Sequence, residues 1–442
     1  MNLSLSSHFT CKKLLRLVMP SVFMMIFTSI YGVVDGFFVS NYVGKTSFTA
    51  VNFIMPVLMI LGSLGFMFGT GGSALIAVTL GEGKPEKARR LFSLIVYASV
   101  ISGTLLALLG FVFLRPIAVW LGATGQLLAD CVLYGRIILL AIPAFILQYE
   151  FQCLFATAQK PGLGLFITIA AGCTNMVLDA WFVAILHWGL AGAAAATALS
   201  QCVGGVLPLF YFAFPNKSLL RLVKTSFDKG ALLKTCVNGS SELMSNISIS
   251  IVSMLYNGQL LKYAGENGVA AYGVLMYVSM IFQAIYIGYS VGAAPVISYH
   301  YGAQNHKELK GLLKRSLLLV GIFSVAMFLA SYALATPVAG VFVGYDTALL
   351  NLTTRAFGIF SFSFLFSGYA IFGSSFFTAL NDGPVSAAIS FLRTMVFQIA
   401  AVLLLPLFWG TDGIWFSIVF AELMAVAVTA LFLLGKRKKY HY

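Results

Sequence analysis

The chain has 442 residues, 60% of them hydrophobic and only 9% charged, with a mean hydropathy of +0.94. Soluble domains carry about 25% charged residues, so this composition excludes a water-soluble protein and implies an all-α, multi-pass membrane protein. The net charge of +13 belongs with the orientation of the spans, and no nucleic-acid partner is expected.

The first apolar run, residues 14 to 40, is too long for a signal-peptide core and is followed by no small-residue cleavage site, so it is expected to remain as a membrane span. Further runs cover residues 48 to 80, 92 to 114, 127 to 158, 161 to 186 and 189 to 214. A second set covers 233 to 260, 269 to 299, 312 to 334, 349 to 379, 384 to 408 and 412 to 434. Each is long enough to cross about 30 Å of hydrocarbon as a helix, and together they predict twelve transmembrane helices. With the N-terminus inside, most of the 27 basic residues fall in inside segments: Lys12, Lys13, Arg16, then Lys84, Lys87, Arg89, Arg90, Lys160, the stretch from Lys217 to Lys234, then Lys307 to Arg315, and Lys436 to Lys439. The positive-inside rule then places both termini in the cytoplasm and the protein in the plasma (inner) membrane.

The two sets repeat one another at an offset of 221, half the chain length. That offset pairs Tyr42 with Tyr263, Gly44 with Gly265, Gly71 with Gly292, Gly81 with Gly302, Pro116 with Pro337, and Trp188-Gly189 with Trp409-Gly410. One register held through several loops signals duplication. Six helices per unit make the repeat parallel, with a pseudo-twofold along the membrane normal and a substrate site between the halves. The expected division is an N-terminal six-helix bundle over residues 1–221, carrying a cation site, and a C-terminal six-helix bundle over 222–442, joined by the basic loop from Pro215 to Gly230.

Acidic residues inside the spans mark ion pathways, because a charge there costs about 2.5 to 3.5 kcal/mol on insertion scales. Asp35 and Asp179 lie about 8 to 11 Å below the outer surface, and Tyr134 and Thr197 reach the same level from two other helices. Asn175 sits one turn before Asp179 on the same face. At the offset of 221, Asp35, Asn175, Asp179 and Thr197 become Tyr256, Val396, Ala400 and Ile418, so the polar cluster exists in the first half alone. Its carboxylate, amide and hydroxyl oxygens suit H⁺ or Na⁺. Two neighbouring carboxylates favour sharing a proton, which makes H⁺ the preferred ion. No other metal and no cofactor are expected. Pro20 provides a hinge in the same helix as Asp35.

Glu242 and Arg393 fall level with each other in two helices rising from inside and are expected to form a buried ion pair. Glu150 and Glu422 have no evident partner, and each is open to substrate contact or helix adhesion. The six cysteines lack CxxC spacing, GTGGSA from Gly69 serves close helix packing, and His300 and His306 are expected to be solvated or interfacial.

Over its whole length the chain resembles the multidrug and toxic compound extrusion (MATE) transporters. The resemblance rests on the two six-helix halves, on YGVVDGFFV around Asp35, NMVLD from Asn175 to Asp179 and GAAAAT ending at Thr197, and on the loops GEGKPEKAR from Gly81 and YGAQNHKEL from Tyr301. It implies that Pro20, Asp35, Tyr134, Asn175, Asp179 and Thr197 form the cation site of the N-terminal lobe. It implies efflux of cationic, amphipathic drugs by H⁺ or Na⁺ antiport; the protein is expected to be a monomer and not an enzyme. The alternative is a lipid-linked sugar flippase of the wider superfamily, which needs a basic cavity. A membrane-embedded enzyme ranks last, since the spans show no constellation of His, Ser or metal ligands.

Overall fold

The computed structural model describes residues 5–216, 218–344 and 346–442; Lys217, one of the basic loop residues, lies outside them. The first half contains α1 (Cys11–Phe38), α2 (Lys45–Gly62), α3 (Leu64–Gly81), α4 (Pro85–Trp120), α5 (Gly125–Thr157), α6 (Pro161–Asp179) and α7 (Gly189–Ala213). The second contains α8 (Lys229–Gly302), α9 (His306–Val343), α10 (Thr347–Ser361), α11 (Phe364–Ala379), α12 (Gly383–Phe391), α13 (Phe397–Leu404) and α14 (Pro406–Tyr440). Among the described residues ten helical segments are individually long and apolar enough to cross a membrane. One of these, α8, is two spans joined at Gly265, and α10 with α11, bent by 48°, makes one more. The twelve-helix layout with two repeats follows.

Most helices outrun their apolar cores, because polar and basic residues continue the hydrogen-bonding pattern past the hydrocarbon. Thus α4 begins at Pro85 and α9 at His306, several residues before their apolar runs, and Asn305 caps α9 by accepting from the Glu308 amide. Several runs read as single helices are interrupted, the tenth at the bend between α10 and α11 already noted. The second breaks at Ser63, whose hydroxyl donates to the Ile60 carbonyl, and the eleventh passes through a π-turn at Leu392–Val396.

The duplication persists in the backbone. Gly44 and Gly265 have φ of 118° and 63°, and Gly189 and Gly410 have 59° and 55°. These are turns that only glycine enters without strain, and each pair stands at the offset of 221. The contact between halves is pseudo-symmetric as well. A Cβ on Gly81 would meet the Tyr299 carbonyl, and one on Gly302 would meet the Val78 carbonyl, while Gly71 faces Thr235 and Gly239 as Gly292 faces Val18. Small residues here let backbones touch, which is the packing expected of GTGGSA. All these crossings lie toward the end of the molecule that carries both termini. Toward the opposite end, Gly32, Gly258 and Gly273 have nothing within 4 Å of a Cβ position. The halves are therefore in backbone contact, and closed, at the terminal end.

The segment between the halves is not a free linker. Leu220 is fully buried, the Val223 amide donates to Ser93 Oγ at 2.8 Å, and Arg89 Nε donates to the Leu219 carbonyl. The chain following the sixth span thus lies across α4 before α8 begins.

The expectation for His300 does not hold. It is 2% exposed, with Phe9 edge-on to its ring, because the residues before α1 fold over it. That segment is tied down by Glu308, which accepts from the Phe9 amide at 3.0 Å and pairs with His8 and Arg315. His306 is partly buried beside His441, with ring centroids 5.0 Å apart.

Candidate functional site

Two polar sites lie within the spans. The first is built where α6 crosses α1. Gly172 leaves room for the rings of Phe27 and Tyr31, and this close approach sets the next turns of the two parallel helices side by side. Asn175 and Asp179 then arrive at the level of Asp35, one turn beyond Tyr31. Thr197 enters from α7 and Tyr134 from α5. Asn175 Nδ2 donates to Thr197 Oγ1 at 3.5 Å, and Thr197 Oγ1 donates to Asp35 Oδ1 at 3.2 Å. The Asp35 and Asp179 carboxyl groups lie within electrostatic reach of each other, with Tyr134 beside them. Asp35 is 8% exposed, Asn175 1%, and Asp179 and Tyr134 are fully buried.

The five residues grouped from the sequence are thus brought together. Both Asp179 oxygens, Asn175 Oδ1 and the Tyr134 hydroxyl have no protein hydrogen-bond partner. Buried polar groups are seldom left so, and these orphaned oxygens, with two carboxyls and no base among them, fit a proton or a small hard cation. Among the described residues no cluster of His, Cys, Asp and Glu is arranged to hold another kind of metal ion.

Two features of this site had no sequence signal. One turn after Asp35, and directly after Asp179, the helices pass into π-turns, Val39–Val43 and Ala180–Ile185, a local widening often found at functional positions. Gln148 Nε2 donates to the Tyr31 hydroxyl at 3.3 Å, which extends the polar network toward the terminal end. Pro20 stands inside α1 between Val18 and Val22, and these two residues meet Gly292 and Gly288 of α8. Pro20, expected from the sequence as a hinge, thus stands at the contact between the halves.

The second site is a cavity of about 440 Å³, lined mostly by α8 and α10 to α14, with Phe66, Thr70, Ser73 and Cys153 from the first half. Its charged residues are Glu242, Arg393 and Glu422. Arg393 pairs with Glu422 and not with Glu242. Its Nε donates to Glu422 Oε2 at 2.8 Å and Oε1 at 3.1 Å, and its Nη2 donates to Oε1 at 2.9 Å. The reason is tertiary: the π-turn Leu392–Val396 carries Arg393 against α14, where the fork meets both carboxylate oxygens. Glu242 remains on the cavity wall within electrostatic reach of Arg393.

Glu150 does not line this cavity; it is fully buried near Ser99 of α4. Where the first half has Asp35, the second has Tyr256, whose hydroxyl donates to Gln398 Oε1 at 2.8 Å and whose ring stacks on Tyr272 at 5.3 Å. The equivalent position is neutral and satisfied.

Fold and site together define a two-lobed helical membrane protein of the transporter type, and the comparisons name the family. The MatE family model matches residues 20–181 and again 243–404, so the chain belongs to the MATE family of multidrug efflux transporters and contains the family unit twice. It is 22% identical over 417 residues to the multidrug export protein MepA of Staphylococcus aureus strain MRSA252, covering 94% of this chain and 92% of the relative. It is 24% identical over 427 residues to MepA of Staphylococcus haemolyticus strain JCSC1435, covering 96% and 92%. Among solved structures it is similar to a MATE protein in complex with MaL6, with a TM-score of 0.93, 22% identity and coverage of 98% of both chains. It is also similar to the outward-facing conformation of a multidrug resistance MATE family transporter of the MOP superfamily, with a TM-score of 0.92, 22% identity and coverage of 98% and 97%.

Proposed function

We propose that the protein exports cationic, amphipathic compounds across the plasma membrane in exchange for a cation, with H⁺ preferred over Na⁺ and both termini in the cytoplasm. The observation that carries this reading is the facing of Asp35 and Asp179 in a site whose other members are neutral. Two carboxylates in a low-dielectric pocket repel strongly unless a proton or a cation lies between them. A proton needs one good position; Na⁺ needs several oxygens at once. Protonation removes charge from the first bundle, α1 moves about Pro20, and the movement reaches α8 through the Val18 and Val22 contacts with Gly292 and Gly288. The drug occupies the 440 Å³ cavity with Glu242 as its counter-charge. Cation and drug then favour opposite arrangements of the halves, which is the condition for antiport.

A lipid-linked sugar flippase is less well supported. Arg393 is the one base among the cavity's lining residues, and Glu422 already neutralises it. A diphosphate would find no free positive charge there.

The test is transport of a fluorescent cationic dye by purified protein in proteoliposomes, with pH and Na⁺ gradients imposed separately. Dye movement driven by an inward H⁺ gradient without Na⁺ is expected. Movement driven by Na⁺ at equal pH, with none driven by H⁺, would show that the cluster is a sodium site; no movement under either gradient would remove the antiport reading.

A further inference from the structure

At the terminal end, beneath the glycine crossings, a pocket of about 670 Å³ is lined from both halves. Val78 comes from the last turn of α3, Glu82 and Lys84 from the α3–α4 connection, Lys234 from the start of α8, Tyr301 and Gly302 from its end, Gln304 from just beyond it, and Asn381 and Lys439 from two further segments. Its volume falls within the range of about 300 to 1,000 Å³ typical of small-molecule sites, but its character is polar and basic.

The charges facing it are unbalanced. Three lysines, Lys84, Lys234 and Lys439, line it from three separate stretches of chain. Against them stands Glu82, paired with Lys84 at 2.9 Å. Behind the wall Asp382 is already engaged, accepting from the Tyr440 hydroxyl at 2.5 Å with Lys439 at 3.6 Å and Lys436 at 4.0 Å. No ion pair of Lys234 occurs among the described residues. Such a concavity repels cations and attracts an anion small enough to reach several lysines at once. Phosphate fits that description, and basic pockets between membrane helices on the cytoplasmic side are suited to phosphate-bearing headgroups.

We propose that this pocket binds a phosphate-bearing anion, either a lipid phosphodiester or free phosphate, which bridges the two halves and holds the terminal end closed. The bridging follows from the lining: Lys84 belongs to the first half and Lys439 to the second, so both reach one anion only while Gly81 rests on Tyr299 and Gly302 on Val78. Such a ligand binds one arrangement of the transporter better than the other and shifts the population toward it.

The experiment uses the full-length protein and reads hydrogen exchange of segments 78–84 and 299–304. In one arm the protein in neutral detergent is titrated with sodium phosphate against sodium chloride at equal ionic strength. In the other it is compared in nanodiscs of phosphatidylcholine with and without phosphatidylglycerol. Slowed exchange in the first arm identifies free phosphate as a ligand, in the second the lipid headgroup, and in either case supports the site. Lys234→Gln with Lys439→Gln is expected to weaken the effect about fivefold per lysine, whereas Lys224→Gln with Lys229→Gln, outside the pocket, leaves it unchanged. No slowing in either arm overturns the proposal, and so does an equal loss in both variant pairs. Neither arm contains a transported compound, so the outcome stands apart from that of the antiport test.

Discussion

Removal of Glu422 should destabilise the protein far more than removal of Glu242, although the two acids line the same cavity. Arg393 has 12% of its side chain exposed and Glu422 5%, and their contact is bidentate. Breaking a buried pair by removing one partner costs about 3 to 5 kcal/mol, mainly because the other charge is left unpaired. The cavity admits some water to Arg393, and Glu242 is near enough to offer a substitute charge, so the lower end, about 3 kcal/mol, is expected for Glu422→Gln. With an unfolding entropy of about 2.1 cal/mol/K per residue, a chain of 442 residues gains about 0.9 kcal/mol/K on melting. The expected fall in the melting midpoint is then about 3 °C. Arg393→Met should cost a similar amount, and Arg393→Met with Glu422→Leu less than either alone. A thermal-melt cycle in detergent should give a coupling of about 2 kcal/mol or more for Arg393 with Glu422, and under about 1 kcal/mol for Arg393 with Glu242. Additive losses for the first pair, or a larger coupling for the second, would refute the pairing.

Two further outcomes follow. Asp35→Asn keeps the size of the side chain and the oxygen that accepts from Thr197 but removes the charge, so insertion and melting should stay near wild type while gradient-driven dye transport falls to background; wild-type rates would remove Asp35 from the coupling site. Gly81→Ala with Gly302→Ala places methyl groups against the Tyr299 and Val78 carbonyls and should cost the closed terminal end about 1 to 3 kcal/mol, read as faster hydrogen exchange at 78–84 and 299–304, whereas unchanged exchange would show that these crossings do not hold the end together.

The position of the two sites bears on how exchange is achieved. The carboxyl pair lies within the first half, and the cavity is lined mostly by the second. In the antiport reading, cation and drug do not compete for one atom. They act through the packing of α1 and α3 on α8, where a shift of one helix has to be shared by the other because the backbones already touch.

Much of the architecture was legible in the sequence because hydrocarbon imposes a local rule. Every span has to satisfy its own backbone, so apolar length alone reveals the helices. The offset of 221 revealed the duplication, since glycine is retained at both copies of a turn with positive φ. The group of Asp35, Tyr134, Asn175, Asp179 and Thr197 could be assembled from depth along each helix. Depth, however, fixes one coordinate, and azimuth and helix irregularity fix the others. Glu242 and Arg393 are level, yet Arg393 is turned by a π-turn toward α14 and finds Glu422. His300 sits beside a polar loop, yet residues far away in the chain cover it. The basic pocket joins lysines about 150 and 200 residues apart, whose meeting depends on how the two halves close. Those outcomes are set by rotation about helix axes and by contacts between distant segments, which only the packed structure decides.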